Sequence, residues 1–421
     1  MRLLVVVQGG LGTRLSGPEI RGWALARALG RHHEVTVAVQ RPTVRNRDGL
    51  RVVSSRRSVL AFEARRHDAV IAPVIPPYLF GALSGSSTIT VADQYDPVWL
   101  ELSVFTEQPG IDRVLHAQRM MRETQVGFAD VIAVAGERQR GLLLEELAAP
   151  RRPRPRPPRI VGVPFGVPEP PPAARSHPLR AAFPQIGATD PVVLWWGKVW
   201  KWFDAETAIR AFARVVAQRP DARLVISAGK APKAKFDLSE RTGEAHALSR
   251  SLGLLDRNVF FLDEWTAYDR RHEYLLDADV GLTLHRDTAE APFAARARQM
   301  DYLWTGLPCV LASGDEIAAC FGSAGYARLV TPGDSAAAAS ALLELIEHRP
   351  AREAARAAGL ALAERFRWSR LVEPLIAEIE DCRRQPHPAR RTRSGLPAAI
   401  RRYYTRRAVD HLASAVRPVL R

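Results

Sequence analysis

The segment Val192–Ser227, VVLWWGKVWKWFDAETAIRAFARVVAQRPDARLVIS, decides the fold. An apolar run, Val192–Trp196, passes through the loop Gly197–Asp204 into a helical pattern, Ala205–Gln218. That pattern has Ile209, Phe212 and Val216 at three- and four-residue spacing, and a second strand-like run, Arg223–Ser227, follows it. The N-terminus repeats the arrangement: the run Leu3–Val7, the loop Gly9-Gly10-Leu11-Gly12, a helix over Gly17–Leu29 and the strand Glu34–Val39. Ile20, Trp23, Ala24 and Ala28 form the apolar positions of that helix, and Pro18 stands in its first turn. Nearly continuous apolar runs are what parallel strands buried on both faces require. Further strands are expected at Ala69–Ala72, Thr88–Ala92, Val131–Val134, Val259–Leu262, Val280–Leu284, Pro308–Leu311 and Arg328–Val330.

Between the halves lies a proline-rich stretch, Arg151–Arg159 followed by Val163–Pro168 and Pro170–Pro172, which reads as a connector because proline continues neither a helix nor a central strand. The expected fold class is therefore α/β, with two Rossmann-like domains facing a cleft, over 1–168 and 169–382, and a basic tail over 383–421. Ligands in such sheets sit at the carboxyl ends of the strands.

Composition bounds the function classes. Of 421 residues, 47% are apolar and 25% charged, which is ordinary globular usage and excludes collagen-like and wholly disordered chains. No run reaches the roughly 18 uncharged apolar residues of a membrane span. Leu3–Val7 is too short for a signal-peptide core, and three cysteines without metal spacing (Cys309, Cys320, Cys382) suit a reducing, cytoplasmic setting. The net charge of +15 is carried by two segments: Arg151–Arg159 with five arginines and no acid, and Arg383–Arg421 with 11 arginines and one acid. A nucleic-acid enzyme would spread basic residues over a face of its core. Here the excess reads as an attachment device, and no nucleic-acid partner is expected.

Four stretches carry chemistry. Gly9-Gly10-Leu11-Gly12-Thr13-Arg14 follows a strand and precedes a helix, as a ligand loop would, but matches neither the dinucleotide fingerprint nor a Walker A loop. Asp93 and Asp96 end a strand, where a carboxylate could hold a sugar hydroxyl or accept a proton; Asp96-Pro97 could equally start a turn. The loop after Trp196 concentrates tryptophans around Lys198 and Lys201, lysines placed to meet a diphosphate or to snorkel over an aromatic cluster. His285–Phe293, with Glu290, leads to Arg296, Arg298 and Asp301 and then Gly306-Leu307-Pro308; each charge also has a surface salt-bridge explanation. Asp277-Ala278-Asp279 reads as a turn rather than a metal motif, and His272-Glu273 lacks the second histidine of a zinc helix.

Together these residues resemble the glycosyltransferases of family 4, retaining enzymes of the two-domain GT-B fold, from residue 1 to about 382 and most strongly over 190–335. The Gly-Gly-Leu-Gly loop, the Gly197-Lys198 segment and the helix before Gly306-Leu307-Pro308 carry the likeness. Members usually carry two glutamates eight residues apart before that proline. Here the second position is Asp301 and the first is Phe293, with Glu290 the nearest acid upstream. One branch has a Glu, an Arg-x-Arg and an Asp-Tyr-Leu-Trp pattern, which Glu290, Arg296-Ala297-Arg298 and Asp301–Trp304 fit. The resemblance implies sugar transfer from a nucleotide-diphosphate sugar with retention and with no cofactor or metal. Glu290, Lys198 and Asp93 would be the catalytic residues, with Lys198, Lys201, Arg296 or Arg298 at the diphosphate. Asp301 would meet the ribose, and Trp265 would end a nucleobase wall running from Val259. Gly9, Gly10, Gly12, Asp93 and Asp96 would face a glycan, lipid-linked or small-molecule acceptor. Two other activities stay open: a catalytically silent, membrane-associated scaffold that binds a nucleotide sugar, and an epimerase on the same fold.

Phe366-Arg367-Trp368 opens a final helix to about Cys382, which in this fold often crosses back to the first domain. Beyond it, Ile400, Tyr404, Ala408, Leu412 and Val416 alternate with Arg401, Arg402, Arg406 and Arg407. This basic amphipathic pattern suits an anionic membrane surface bound through 385–421 on the inner face of the plasma membrane, or equally a solvated or docked tail.

Overall fold

A computed structural model describes residues 1–13, 15–148, 157–173, 176–229 and 239–385. Most of the arginine-rich linker and the amphipathic pattern beyond 385 lie outside the described residues. The chain forms two compact units. The first takes Met1–Leu11, Gly17–Pro164 and the chain from Trp368 on; the second takes Gly12–Ser16 and Phe165–Arg367. Against boundaries expected at 168 and 382, these fall at 164 and 367. Val167 and Arg367 pair with each other inside the second unit, and the helix Glu373–Arg384 packs with the first.

The first unit holds an eight-stranded sheet. Its strands are β1 (Arg2–Val6), β2 (Glu34–Val39), β3 (Asn46–Arg47), β4 (Leu50–Ser54), β5 (Ala69–Ala72), β6 (Ile89–Asp93), β7 (Val131–Val134) and β8 (Arg159–Gly162). They are ordered β3-β4-β2-β1-β5-β6-β7-β8, parallel except for the β3–β4 hairpin. That hairpin turns through Asp48-Gly49, both at positive φ (49° and 80°), the Asp-Gly signature of a tight turn. β8 corrects the connector expectation for Arg159–Gly162. The segment after Pro158 joins the sheet at its edge, where only one neighbour must be paired. Arg159 is not a solvent-facing linker charge either: its Nη1 donates to Glu378 (2.9 Å) and Asp381 (2.8 Å) of the last helix.

The second unit holds six parallel strands: β9 (Val192–Trp195), β10 (Arg223–Ser227), β11 (Val259–Leu262), β12 (Val280–Thr283), β13 (Cys309–Ala312) and β14 (Ala327–Val330). Their order is β11-β10-β9-β12-β13-β14. β9, β11, β12 and β13 are buried at every position, the outcome expected of uninterrupted apolar runs with helices on both faces. The helix Ala205–Gln218 is capped by Asp204, whose carboxylate accepts from the Thr207 amide at 3.0 Å. It buries Ile209, Phe212 and Val215, with Val216 only half-buried. The helix Gly17–Leu29 buries more than one stripe. Glu19, Arg21, Trp23, Leu25 and Ala28 are buried, while Ile20 and Ala24 are half-exposed, because its charged residues find partners within the unit. No described helix is long and apolar enough to cross a membrane.

Candidate functional site

In the second sheet the chain winds outward from β9 through β10 and β11, then returns to the other side of β9 at β12. Ligands of such sheets collect at this reversal, beyond the carboxyl ends of the strands. The stretches that emerge there are Trp196-Gly197-Lys198 after β9, Leu284-His285 after β12 and Gly314-Asp315 after β13. The helix Ala297–Thr305 lies against them, fixed by Tyr302. The phenolic oxygen accepts from the Trp196 amide (3.0 Å) and the Thr283 hydroxyl (3.3 Å), and its own hydrogen faces the carbonyls of Leu194 (3.1 Å) and Leu282 (3.0 Å). Burial pushes its pKa up to about 12, so it remains a donor. Gly281 permits the contact, since a Cβ there would lie 3.0 Å from the ring. The helix ends at Gly306, at φ +64°.

The loop after β9 turns at Gly197 (φ +85°), where a side chain would press on Arg298 at 3.2 Å. Arg298 donates from Nη2 to the Lys198 carbonyl (2.6 Å), reaches the Gly197 carbonyl with Nη1 (3.4 Å) and lies 3.7 Å from the centre of the Phe203 ring. Burial lowers its pKa to about 9, which leaves it charged at neutral pH. Arg298, expected at a diphosphate, spends these donors on holding the loop. Lys198 is half-buried with Nζ 5.7 Å from the Trp200 ring, and Trp200 stacks on Trp202 at 5.1 Å. Lys198 thus lies beside a tryptophan packing cluster. Lys201 is half-buried on the same loop.

Behind this loop is a buried charge cluster. Arg296 donates from Nη2 to Glu290 Oε2 at 3.2 Å, and its Nε lies 3.5 Å from Asp315 Oδ2. The side chains of Glu290, Arg296 and Asp315 are 1%, 2% and 0% exposed. Gln299 Nε2 donates to Asp315 Oδ2 at 3.3 Å, and His285 Nε2 stands 3.9 Å from that oxygen. Burial and the Arg296 charge lower the His285 pKa, favouring the neutral ring. Glu290 Oε1, Arg296 Nε, Gln299 Oε1 and His285 Nε2 find no hydrogen-bond partner among the described residues. Buried polar atoms of folded proteins are almost always paired, and four of the twelve side-chain atoms without a partner among the described residues fall in this one cluster.

Asp301 is held by two groups: Oδ1 accepts from Arg271 Nε (2.9 Å) and Oδ2 from the Trp196 indole (3.1 Å). Arg271 itself lies over the rings of Tyr268 (3.9 Å) and Trp304 (4.2 Å). The expected Arg298–Asp301 contact along the helix gives way to these longer-range partners. Trp265 is half-buried on the loop after β11, against Gly229, where a Cβ would lie 2.9 Å from the Trp265 amide nitrogen. Among the described residues no group of three or more His, Cys, Asp or Glu is placed to hold a metal ion.

In the first unit the glycine loop already meets a carboxylate. The Gly10 amide donates to Glu19 Oε1 at 3.0 Å, and a Cβ on Gly9 would fall 2.1 Å from the same oxygen. Gly12 groups with the second unit. Asp93 is buried and accepts from Arg21 Nε and Nη2 at 2.7 Å each, while Arg21 also donates to the carbonyls of Val163 (2.8 Å) and Pro164 (3.1 Å). Asp93 thus anchors an arginine in the core, where an open acid was expected. Asp96 is half-buried beside Tyr95.

No protein-family model and no curated protein sequence matches the chain. Solved structures do. The chain is similar to HepE from Anabaena in complex with UDP-glucose (16% identity, TM-score 0.65), covering 90% of this chain and 100% of that one. It is similar to a glycosyltransferase from Rickettsia africae at 12% identity and TM-score 0.64, covering 90% and 98%. A UDP-forming trehalose-phosphate synthase from Burkholderia xenovorans, in complex with glucose-6-phosphate, matches at 14% identity and TM-score 0.70, covering 90% and 100%. The chain has the GT-B glycosyltransferase fold.

On this GT-B frame the structure gathers Lys198, Lys201, Glu290, Arg296, Arg298 and Asp301 in the second unit, on elements joined at the ends of β9 and β12. Gly9, Gly10, Asp93 and Asp96 belong to the first unit. Sequence reading missed Asp315, Gln299, Arg271 and Glu19, and took His285 only as the first residue of the stretch that holds Glu290. Asp315 was visible only as an acid before a helix, and Arg271 lies 30 positions from the carboxylate it holds.

Proposed function

We propose that the chain is a glycosyltransferase that moves a sugar from a nucleotide-diphosphate sugar to a hydroxyl of a glycan, lipid-linked or small-molecule acceptor, with retention and without a metal ion. The observation that carries this is the buried Glu290–Arg296–Asp315 cluster with its unpartnered atoms, set where the second sheet reverses. HepE, whose frame is similar, binds UDP-glucose, which supports a UDP-sugar as the first donor to test. Breaking the bond from the anomeric carbon to the diphosphate leaves positive charge on the carbon and sends the electron pair to the phosphate oxygen. Lys198, on a loop steadied by Arg298, would stabilise the departing diphosphate. Arg296 is already offset by two carboxylates, so it serves chiefly to hold Glu290. Glu290 Oε1 would meet the donor sugar, and Asp301 retains lone pairs for a ribose hydroxyl.

A thermal-shift panel of UDP-, GDP- and dTDP-sugars tests the binding step. A donor at 100 times its Kd stabilises by about 2.7 kcal/mol. Lys198→Ala and Glu290→Ala should then lose transfer while the chain still folds, Lys198→Ala at an unchanged melting temperature and Glu290→Ala at a lowered one because Arg296 loses a buried partner, and transfer should persist in chelator. Stabilisation by no nucleotide sugar, or full activity in both variants, refutes the assignment. Phe293 at the usual glutamate position favours a second reading, a scaffold that binds the nucleotide sugar without turnover. It expects the thermal shift and no product. The membrane partner rests on 385–421 alone, and removal of that segment should release the protein from anionic vesicles.

A further inference from the structure

Asp315 stands at the carboxyl end of β13, directly after Gly314, whose φ of +130° suits glycine. Its two oxygens face different ways. Oδ1 accepts from the Ala318 amide at 2.6 Å and caps the helix Glu316–Ser323. Oδ2 meets three side chains from other elements: Gln299 at 3.3 Å, Arg296 at 3.5 Å and His285 at 3.9 Å. A cap needs neither the second oxygen nor a full charge, since serine and asparagine cap as well. Asp334, an exposed residue of the same unit, caps the helix Ser335–Glu347 through Oδ1 alone. A fully buried carboxylate at 315 therefore serves more than the helix end.

Arg296 lies between two carboxylates. It gives Glu290 a single nitrogen, Nη2, while its Nε edge is drawn toward Asp315. Arginine favours a two-bond fork with one carboxylate. Without the pull of Asp315, the guanidinium is at liberty to turn that edge to Glu290 and take up both its oxygens. With the pull, Glu290 Oε1 stays without a partner. We propose that Asp315 is a positioning residue that, by holding Arg296, keeps Glu290 Oε1 unpaired, so that a donor sugar can engage it on binding. This rests on the glycosyl-transfer role given to Glu290 above.

Two variants separate the hub from the cap. Asp315→Asn keeps a capping oxygen but turns an amide donor toward Gln299 and Arg296. Asp315→Ser keeps a cap and leaves the hub without an oxygen. With the full chain and the donor found by thermal shift, both should lower kcat about 10- to 100-fold, the scale of a misplaced reacting group. Donor KM should stay within about threefold. Asp334→Asn should match the wild type. In a Glu290→Gln background, Asp315→Asn should add little further loss, since the residue through which it acts is already altered. Wild-type kcat in both Asp315 variants overturns the inference. So does a loss of equal size in the Glu290→Gln background, which marks a merely structural role. A wild-type chain that transfers no sugar refutes the glycosyltransferase reading instead, so the two failures are distinguishable.

Discussion

Replacing Asp93 by alanine should destabilise the first unit strongly, and the structure sets the scale. The side chains of Arg21 and Asp93 are 1% and 3% exposed, and two 2.7 Å bonds join them in a fork. Arg21 also lies 4.4 Å from the centre of the Tyr95 ring. Removing the carboxylate leaves a buried guanidinium with only the carbonyls of Val163 and Pro164. Breaking one side of such a pair costs about 3–5 kcal/mol, against a total stability of about 5–15 kcal/mol. For a unit of this size each kcal/mol lowers the midpoint by about 2–4 °C, so the shift should be roughly 6–20 °C. Calorimetry is the appropriate assay, because a chain of two units need not melt in one step and only one transition should move. The double variant Arg21→Met with Asp93→Ala should recover part of the loss, since no uncompensated charge remains in the core. An Asp93→Ala protein that melts like the wild type but has lost transfer would refute this reasoning and return Asp93 to the chemistry.

Tyr302→Phe removes a hydroxyl that meets Trp196, Thr283, Leu194 and Leu282, leaving buried backbone groups short of a partner. A loss of about 1–3 kcal/mol by denaturant titration is expected, with raised donor KM as the strand ends loosen; an unchanged midpoint would contradict the stapling role. His285 is held below its ordinary pKa of 6.5 by burial and Arg296. Below that pH the unfolded chain takes up the proton before the folded one does, so this contribution to stability is lost as the pH falls through the window beneath 6.5. His285→Asn should flatten that part of the stability-versus-pH curve, leaving a slope in the same direction from His33, and an unaltered curve would show that the ring is not the source.

Much of the frame was legible because parallel strands buried on both faces are written as unbroken apolar runs. Ala69–Ala72, Val131–Val134 and Val259–Leu262 carry the same bounds in sequence and structure. The edges were not legible. Asn46–Arg47 is too short and polar to show a period, although Asp48-Gly49 was a turn signal that could have found the hairpin. Arg159 read as part of a basic run until Glu378 and Asp381, more than 200 positions away, paired it. Arg21 was hidden because a charge on a helix face normally marks solvent; its partner comes from β6, 72 positions on. The site's residue types, a lysine loop, Glu290 and the Arg-x-Arg pair, could be read locally. Their division of labour could not, because Arg298 and Asp301 are three apart on one helix yet take partners on different elements.

Two buried arginine–carboxylate systems, at Arg21 and at Arg296, differ in how completely they are paired. At Arg21 and Asp93, Nε, Nη1 and Nη2 of the arginine all donate and both carboxylate oxygens accept. An arrangement so complete stabilises and leaves nothing to offer a ligand. Around Arg296, a similar arginine between two carboxylates, its own Nε and three neighbouring polar atoms have no hydrogen-bond partner among the described residues. An unmade buried hydrogen bond costs about 1–3 kcal/mol, so folding alone would favour closing or replacing these groups. Sequences that break a local rule without compensation do so where function requires it. The incomplete cluster lies at the reversal point of the second sheet, and under the glycosyl transfer proposed above it is the group of residues that the sugar would meet.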